Sequence, residues 1–388
     1  MKRRKIDFEE MTSYCSLYNA WVRCSRGDGK DRRRDVRRYA VNLKENLLRL
    51  QQRLRDGTWE PDKGRTFYLR TEGKIREIHT VGVEDRIVHQ ILVKAFNLQR
   101  HFVRRTFGSI KKRGTLRANK QVRKDLRTSG YNYCVKLDVR KYYPSIDKNI
   151  LIALVRRRYK GEDAIRLYEK VLWSYKPDTD KSISIGALTS QDSGNFYLTP
   201  LDLYLLQELK VRYMSRYVDD IVILVRDKEE GERVIRKATE FVRTLGLEFG
   251  KILLFPIDKR RIDYCSYAVN GENVRLRAST KRRFIRKLRN LTKRPQRPEY
   301  ERNCVCSYLG MLQYCNGYKL LKDLRNEYHQ VFGRIDRHAE RCGEQERETA
   351  SATAADGRVQ NILQPPHNRA GYNRRGNRGT RVRVCTCG

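Results

Sequence analysis

The tightest constraint in this chain is a pair of adjacent acids, Asp219-Asp220, set between two strand-like runs. Tyr213-Met214-Ser215-Arg216 precedes them, and Ile221-Val222-Ile223-Leu224-Val225 follows. Runs of this kind read as two strands about a tight turn at Tyr217-Val218-Asp219-Asp220. Neighbouring carboxylates repel each other and stay ionised at little cost only when a cation sits between them. A lone acidic pair is ordinarily a solvated bend. Here a further acid, Asp138, ends the strand signal from Tyr131 to Asp138, and it lies 81 residues before Asp219. A central strand and an adjacent hairpin can bring three carboxylates onto two Mg²⁺ ions about 4 Å apart, the arrangement suited to in-line attack of a 3′-hydroxyl on a nucleoside triphosphate.

Charge points to the other reactant. The 388 residues hold 85 Lys+Arg against 46 Asp+Glu, a net +39. Such a chain repels itself unless a polyanion accompanies it. Its basic residues run from Lys2 to Arg383 instead of clustering beside an anchor, which favours a long nucleic acid over a membrane surface. With 39% hydrophobic residues and 23 Tyr the chain can build a core, so wholesale disorder is excluded. No apolar run approaches the roughly 18 residues of a membrane span, and the opening MKRRKIDFEE lacks a secretory h-region. The ten Cys read as free thiols in a reducing compartment, and Cys304-x-Cys306 and Cys385-x-Cys387 are too closely spaced for a zinc knuckle.

Periodicity supplies the frame. Helical spacing covers Val36 to Arg55, Glu84 to Phe96, Ile146 to Tyr159 (capped by Asp147), Ala164 to Tyr175 and Lys228 to Leu245. Phe67 to Leu69 and Ile75 to Ile78 read as a hairpin around Thr71-Glu72-Gly73. Gly108 to Gly114 is a basic loop, followed by a basic helix to Arg127. Ser193 to Leu209 is helical with Pro200 inside, which predicts a kink or two helices. Lys281 to Leu291 is an Arg/Lys-rich helix, and Val305 to Tyr328 is helical again. This order predicts an α+β domain rather than a βαβ repeat.

Several segments together resemble reverse transcriptases, and more narrowly those of diversity-generating retroelements. Tyr217 to Asp220 is similar to the palm motif Y-x-D-D, and Leu137 to Asp147 to the strand-and-helix motif before it. Ile185-Gly186-Ala187-Leu188-Thr189-Ser190-Gln191 resembles the I-G-x-x-T-S-Q stretch of the diversity-generating type, where retron and group II intron enzymes more often carry P-Q-G. Gly73 to Ile78, the Gly108 to Gly114 loop, Ser307-Tyr308-Leu309-Gly310 and Tyr314-Cys315-Asn316 extend the likeness to about residues 35–330.

The resemblance implies a right-hand polymerase with an antiparallel palm sheet and a mostly helical thumb. Residues 1–35 are then a basic extension, 36–130 fingers with part of the palm, 131–270 palm with inserted elements and 271–345 thumb. Residues 346–388 are expected to be a basic disordered tail. It implies Asp138, Asp219 and Asp220 as catalytic ligands of two Mg²⁺ (Mn²⁺ as substitute), with the Val139 carbonyl as a further ligand. Tyr143 becomes a steric gate under the incoming sugar. Arg76, supported by Lys74, meets the triphosphate, as does Lys251 on the phosphate side; Ile185 and Gln191 line the nucleotide pocket. Lys111, Lys112 and Arg113, with Lys281, Arg282, Arg286 and Arg289, are candidates to track a template duplex or structured RNA.

The implied activity is copying of a template-repeat RNA, with its flanking structured RNA, into cDNA with errors opposite adenines. The cDNA would then replace a variable region in a target gene. Implied partners are dNTPs, the cDNA/RNA hybrid and a small basic accessory protein, oligomeric. The setting is cytoplasmic and bacterial, archaeal or phage-encoded, with no membrane. A retron-like or defence-associated enzyme and a non-catalytic RNA-binding scaffold stand as alternatives. Three departures are expected to matter locally. Asp192-Ser193-Gly194 should loosen its helix, Cys265-Ser266 should soften the hairpin that joins the thumb, and Phe249-Gly250-Lys251 is shorter than the family's usual segment, which has a proline or asparagine before its Lys.

Overall fold

The computed structural model describes residues 3–27, 29–71 and 73–340, so the basic tail and Cys385-x-Cys387 lie outside it. The described residues divide into two compact units, one drawn from the chain up to Arg286 together with Ser307–Asp323, the other from Lys287–Cys306 together with the residues from Leu324 on.

In the first unit a short strand β1 (Arg4–Lys5) leads to helices α1 (Phe8–Met11), α2 (Tyr14–Ser25), α3 (Arg34–Val41) and α4 (Leu43–Arg55). The continuous helix predicted from Val36 breaks at Asn42, whose φ of −117° and ψ of 51° leave the helical region. Apolar periodicity persists across that break, and so it hid it. The predicted hairpin is β2 (Arg65–Thr71) with β3 (Lys74–Thr80), pairing Leu69 with Arg76. It leaves Phe67, Tyr68, Leu69 and Ile75 exposed. Helix α5 (Val83–Phe96) buries Ile87, Val88, Ile91 and Leu92 and ends on Asn97 in the left-handed region. After the basic loop comes α6 (Thr115–Thr128).

Strand β4 (Tyr133–Val139) is the centre of the fold. It runs antiparallel between β7 (Asp220–Val225) and β8 (Phe249–Pro256), and β6 (Tyr213–Tyr217) completes the order β6-β7-β4-β8. Alternate residues point to opposite faces. Val135, Leu137, Ile221 and Ile223 join the main core, which includes residues of α5, α8 (Lys148–Arg158) and α9 (Glu162–Trp173). Cys134, Val222, Leu224 and Phe255 instead pack with Ala118 and Val122 of α6 and with Ile262 and Tyr264. The face of the second set carries the acids.

Between β4 and α8 lies the single turn α7 (Tyr142–Ser145), and β5 (Tyr159–Lys160) follows α8. Helix α10 (Leu188–Tyr197) begins five residues before the predicted start. The chain then breaks at Leu198, and α11 (Thr199–Leu203) carries Pro200 in its first turn, where a missing N–H costs nothing. Asp192-Ser193-Gly194 does not loosen α10. Asp192 accepts a hydrogen bond from Gln99 at 2.9 Å, Ser193 bonds the Tyr168 hydroxyl, and the Gly194 carbonyl accepts from Tyr142. Polar groups buried with partners hold a helix as well as apolar ones.

Helix α12 (Lys228–Thr244) is capped by Asp227. The hairpin β9 (Ile262–Tyr264) and β10 (Tyr267–Val269) forms in full and is extended by β11 (Val274–Leu276). The departure at Cys265-Ser266 therefore appears as local strain instead of softening: both residues sit in the left-handed region, at φ 48° and 70°. Helix α13 (Ala278–Lys293) matches the basic helix. The segment predicted from Val305 to Tyr328 forms two helices, α14 (Pro298–Leu312) and α15 (Tyr318–Glu327), and Pro298 starts the first of them. Cys304 and Cys306 are free thiols two residues apart on α14, a spacing that turns their side chains away from each other. Within the second unit Glu301, fully buried, takes a two-pronged ion pair from Arg334 at 2.9 and 3.0 Å. Among the described residues no helix is long and apolar enough to cross a membrane.

The loop between α9 and α10 carries Ile185 and is tied down by Lys148. That side chain is fully buried, and its ammonium donates to the carbonyls of Tyr175, Lys176 and Thr179 at 3.0, 2.8 and 2.8 Å. Three carbonyls served by one cation are left bare when it goes. Lys148→Met, which keeps the stem, is expected to cost about 3 kcal/mol in urea unfolding; a loss below about 0.5 kcal/mol would show that the loop does not depend on this cation.

Candidate active site

The sheet register places the acids. Asp138 on β4 pairs directly with Asp220 on β7 and, on its other side, with Lys251 on β8. Directly paired residues share a face, so an acid, an acid and a lysine line up across three strands. Lys136 lies two positions along on the same face. Its ammonium meets Asp220 Oδ1 at 2.6 Å and also donates to the Asp263 carbonyl. Asp219 occupies the turn itself.

Burial and crowding act on these acids together. Burial first, then the neighbouring Asp138 and Asp220 charges, push the Asp219 carboxyl up to about 6, against an opposing pull from Arg76. Asp220 is also raised, by burial and Asp138, while Lys136 pulls it back. Arg76 on the exposed hairpin thus lies within electrostatic reach of Asp219. Among the described residues no three His, Cys, Asp or Glu side chains stand as a ready-made metal cluster. One of the three carboxylates, Asp220, is turned onto Lys136 instead. Hard divalent cations take carboxylate oxygens, and a buried like-charge set is where such an ion relieves most repulsion. The donor set therefore fits Mg²⁺.

The turn is held from below by a residue that sequence reading passed over as strand filler. Arg216 is fully buried and forms a two-pronged ion pair with Asp202 at 2.7 and 2.6 Å. Its remaining donors reach the Asn195 side chain at 3.1 Å and the Val218 carbonyl at 2.8 Å. Val218 needs that hold, because its φ of 58° is rare for a β-branched residue. Gly108 lies directly against it: a Cβ there would stand 2.5 Å from Val218 Cγ2 and 2.8 Å from its backbone nitrogen. Only glycine lets the basic loop start this close to the turn. The signal in the sequence was an arginine inside a buried strand, which has to find an acid somewhere.

The other predicted residues divide. Tyr143 is half-buried; its ring stands edge-on to Tyr142 at 5.6 Å, and burial with the Asp219 charge pushes its hydroxyl up to about 12. Ile185 gives its carbonyl to the His79 amide at 3.1 Å, which joins its segment to the hairpin that carries Lys74 and Arg76. Gln191 is exposed on α10, while Val139 is buried at a β-bulge beside Asp138. Lys111 and Lys112 are exposed, but Arg113 turns inward and donates to the Val103 carbonyl at 3.3 Å. Lys281, Arg282, Arg286 and Arg289 are exposed on α13, and Arg289 also donates to the Tyr328 hydroxyl at 3.2 Å.

Removing Arg216 leaves Asp202 buried without a cation. Arg216→Met is expected to destabilise the protein by about 3–5 kcal/mol in denaturant titration, and Arg216→Met/Asp202→Leu to recover a large part of that loss. Equal instability of the single and double variants would remove the ion pair as the cause.

Comparison with known proteins agrees with the chemistry of this site. Residues 61–251 match the family described as Reverse transcriptase (RNA-dependent DNA polymerase). No curated protein matches the chain. Among solved structures it is similar to telomerase from Candida albicans in complex with a TWJ fragment of telomeric RNA, at 13% identity and a TM-score of 0.47, covering 72% of this chain and 55% of that one. It is also similar to apo telomerase from Candida tropicalis truncated from its C-terminal domain, at 13% identity and a TM-score of 0.43, covering 55% of each chain. This chain thus spans about half the length of those telomerases. Residues 61–251 thus match the reverse transcriptase family model, on an α+β fold whose antiparallel sheet bears the acids.

Proposed function

We propose that this chain is the reverse transcriptase of a diversity-generating retroelement. It copies a template-repeat RNA into adenine-mutagenised cDNA that replaces a variable region of a target gene. The observation that carries the narrower reading is the Ile185 to Gln191 segment. It has the I-G-x-x-T-S-Q form, and it is bonded through the Ile185 carbonyl to the hairpin that bears Arg76. Base selection and triphosphate contact then share one joint. The flanking structured RNA, dNTPs, a small basic oligomeric accessory protein and a cytoplasmic setting belong to the same reading.

In this reading Asp138, Asp219 and Asp220 hold two Mg²⁺, with the Val139 carbonyl beside them. Bound there, the ions supply Lewis-acid activation of the primer 3′-hydroxyl and neutralise charge on the triphosphate. The chain's own groups do the rest. Arg76, with Lys74, offers a forked donor to phosphate oxygens. Lys251, paired with Asp138, adds a cation on the same face. The Tyr143 ring bars a ribose 2′-hydroxyl, and Ile185 and Gln191 bound the base. Lys136 orients Asp220 and favours its ionised form against the pull of burial.

The carboxylates give a pH signature. The folded value of Asp219, about 6, stands above its ordinary 3.8. The folded state therefore binds the proton more tightly, and stability of the metal-free protein on this group's account falls as pH rises from about 4 to about 6. Mg²⁺ is expected to raise the Tm more at pH 7 than at pH 5 in scanning fluorimetry; a gain independent of pH would contradict the assignment.

The function itself is tested with RNA transcribed from the flanking locus. Sequenced cDNA is expected to carry mismatches concentrated at template adenines, and Asp219→Asn to abolish synthesis while RNA binding persists. Errors spread evenly over the four template bases would leave a reverse transcriptase of another kind. Undiminished synthesis by Asp219→Asn would remove the catalytic assignment.

A further inference from the structure

A second concentration of charge lies outside the sheet that carries the acids. Strand β1 pairs in parallel with β5, setting Arg4 opposite Tyr159 and Lys5 opposite Lys160. Both lysines are exposed, and among the described residues neither has an acidic partner. Like charges set directly opposite one another on a ladder are destabilising. This ladder is nonetheless built with care. The Ile6 amide continues it to the Lys160 carbonyl at 2.8 Å, and a Cβ at Gly161 would stand 2.5 Å from the Ile6 carbonyl oxygen. At φ 119° Gly161 also takes a conformation that side chains resist. Close apposition of the two strands is thus specified by the sequence, and it brings the two cations together.

Other segments bring more positive charge to the other face of this narrow ladder, the one that carries Arg4 and Tyr159. His101 ends a 3-10 turn (Leu98–His101) and bonds the buried Tyr159 hydroxyl at 3.0 Å. Arg158, Arg100 and Arg4, from three separate segments, all act on that imidazole, which burial first and then these guanidiniums hold below its ordinary value. The same three act on the Tyr159 hydroxyl. The favourable field at the α8 C-terminus accounts for Arg156 to Arg158, and Arg156 is already neutralised by Glu162 and Glu169. That field does not account for Lys5 against Lys160, nor for Arg4 and Arg100. Asp7 and Glu10 line the same cavity as Arg4 and Lys5, but among the described residues neither carboxylate forms an ion pair with them, and Asp7 accepts the Glu10 amide as the cap of α1.

We propose that the β1–β5 ladder and the adjoining turn form a second RNA-binding surface, which grips the phosphodiester backbone of a folded RNA outside the catalytic cleft. Lysines side by side and converging guanidiniums suit the closely spaced charges of such a backbone, and phosphate contacts position without reading sequence. The surface would hold the non-templating part of the RNA while the template threads past Asp138 and Asp219. This rests on the polymerase reading only in taking RNA as the polyanion.

The test uses the full chain as wild type, Lys5→Ala/Arg100→Ala/Lys160→Ala and Lys5→Arg/Lys160→Arg. Each is titrated with a primer-free RNA stem-loop over a salt series, and each is assayed in parallel for extension of oligo(dT) on poly(rA). The alanine variant is expected to bind the stem-loop about tenfold more weakly, with a log–log salt slope shallower by about 2–3. The arginine variant should bind as wild type, and extension should be unchanged in both. Unchanged affinity and slope in the alanine variant would overturn the proposal, as would a matching loss of extension. Wild-type protein that binds the stem-loop through this surface yet never extends the primer would support the surface and count against the polymerase reading instead.

Discussion

The buried pair Arg216–Asp202 is the interaction on which the rest of the site depends. One guanidinium joins α11, through Asp202, α10, through Asn195, and the turn itself, through the Val218 carbonyl. A charge pair wholly removed from water repays its desolvation only with good geometry and saturated donors, and this one has both. The return is positional. Val218 is kept in a conformation it would not choose, and Asp219 and Asp220 follow from it in fixed directions. Gly108 makes the same point from outside, since the loop leading to Lys111 and Lys112 is admitted against Val218 only because it starts without a side chain.

Much of this was legible in the residues. Strands β4, β6 and β7 and the turn between the last two were readable because apolar runs in a charged chain have few other places to go. Helix α8 was readable down to its cap, as Asp147 accepts the amides of Asn149 and Ile150. Most of what was not readable had one cause: partners distant in sequence. Nothing local says that Asp192 meets Gln99 or that Ser193 meets Tyr168, so polar residues in α10 looked like weakness. The break at Asn42 escaped notice for the opposite reason, because apolar spacing continues through it. Arg113 looked like one of three equivalent cations, yet only the folded loop shows that it serves the Val103 carbonyl.

Charge in this protein has to be read by position. The excess of +39 suits a polyanion as partner, but it says nothing of where catalysis sits. Across the sheet, Asp220, Asp138 and Lys251 form a row of alternating purpose, with Lys136 beside it directed at Asp220. The acids are costly where they are, and the raised Asp219 carboxyl records that cost. Elsewhere, at Lys5 and Lys160, cations are set together and, among the described residues, form no ion pair with an acid. Both arrangements are unfavourable in isolation and become reasonable with an ion or a polyanion of opposite sign.

The proposed function requires divalent ions among Asp138, Asp219 and Asp220. Substituting Fe²⁺ for Mg²⁺ and generating hydroxyl radicals from the bound ion with ascorbate and peroxide locates them. Backbone cuts are predicted beside Asp138 and beside Asp219-Asp220, suppressed by excess Mg²⁺. Cuts confined to other parts of the chain, or cuts at these positions that excess Mg²⁺ leaves untouched, would contradict it.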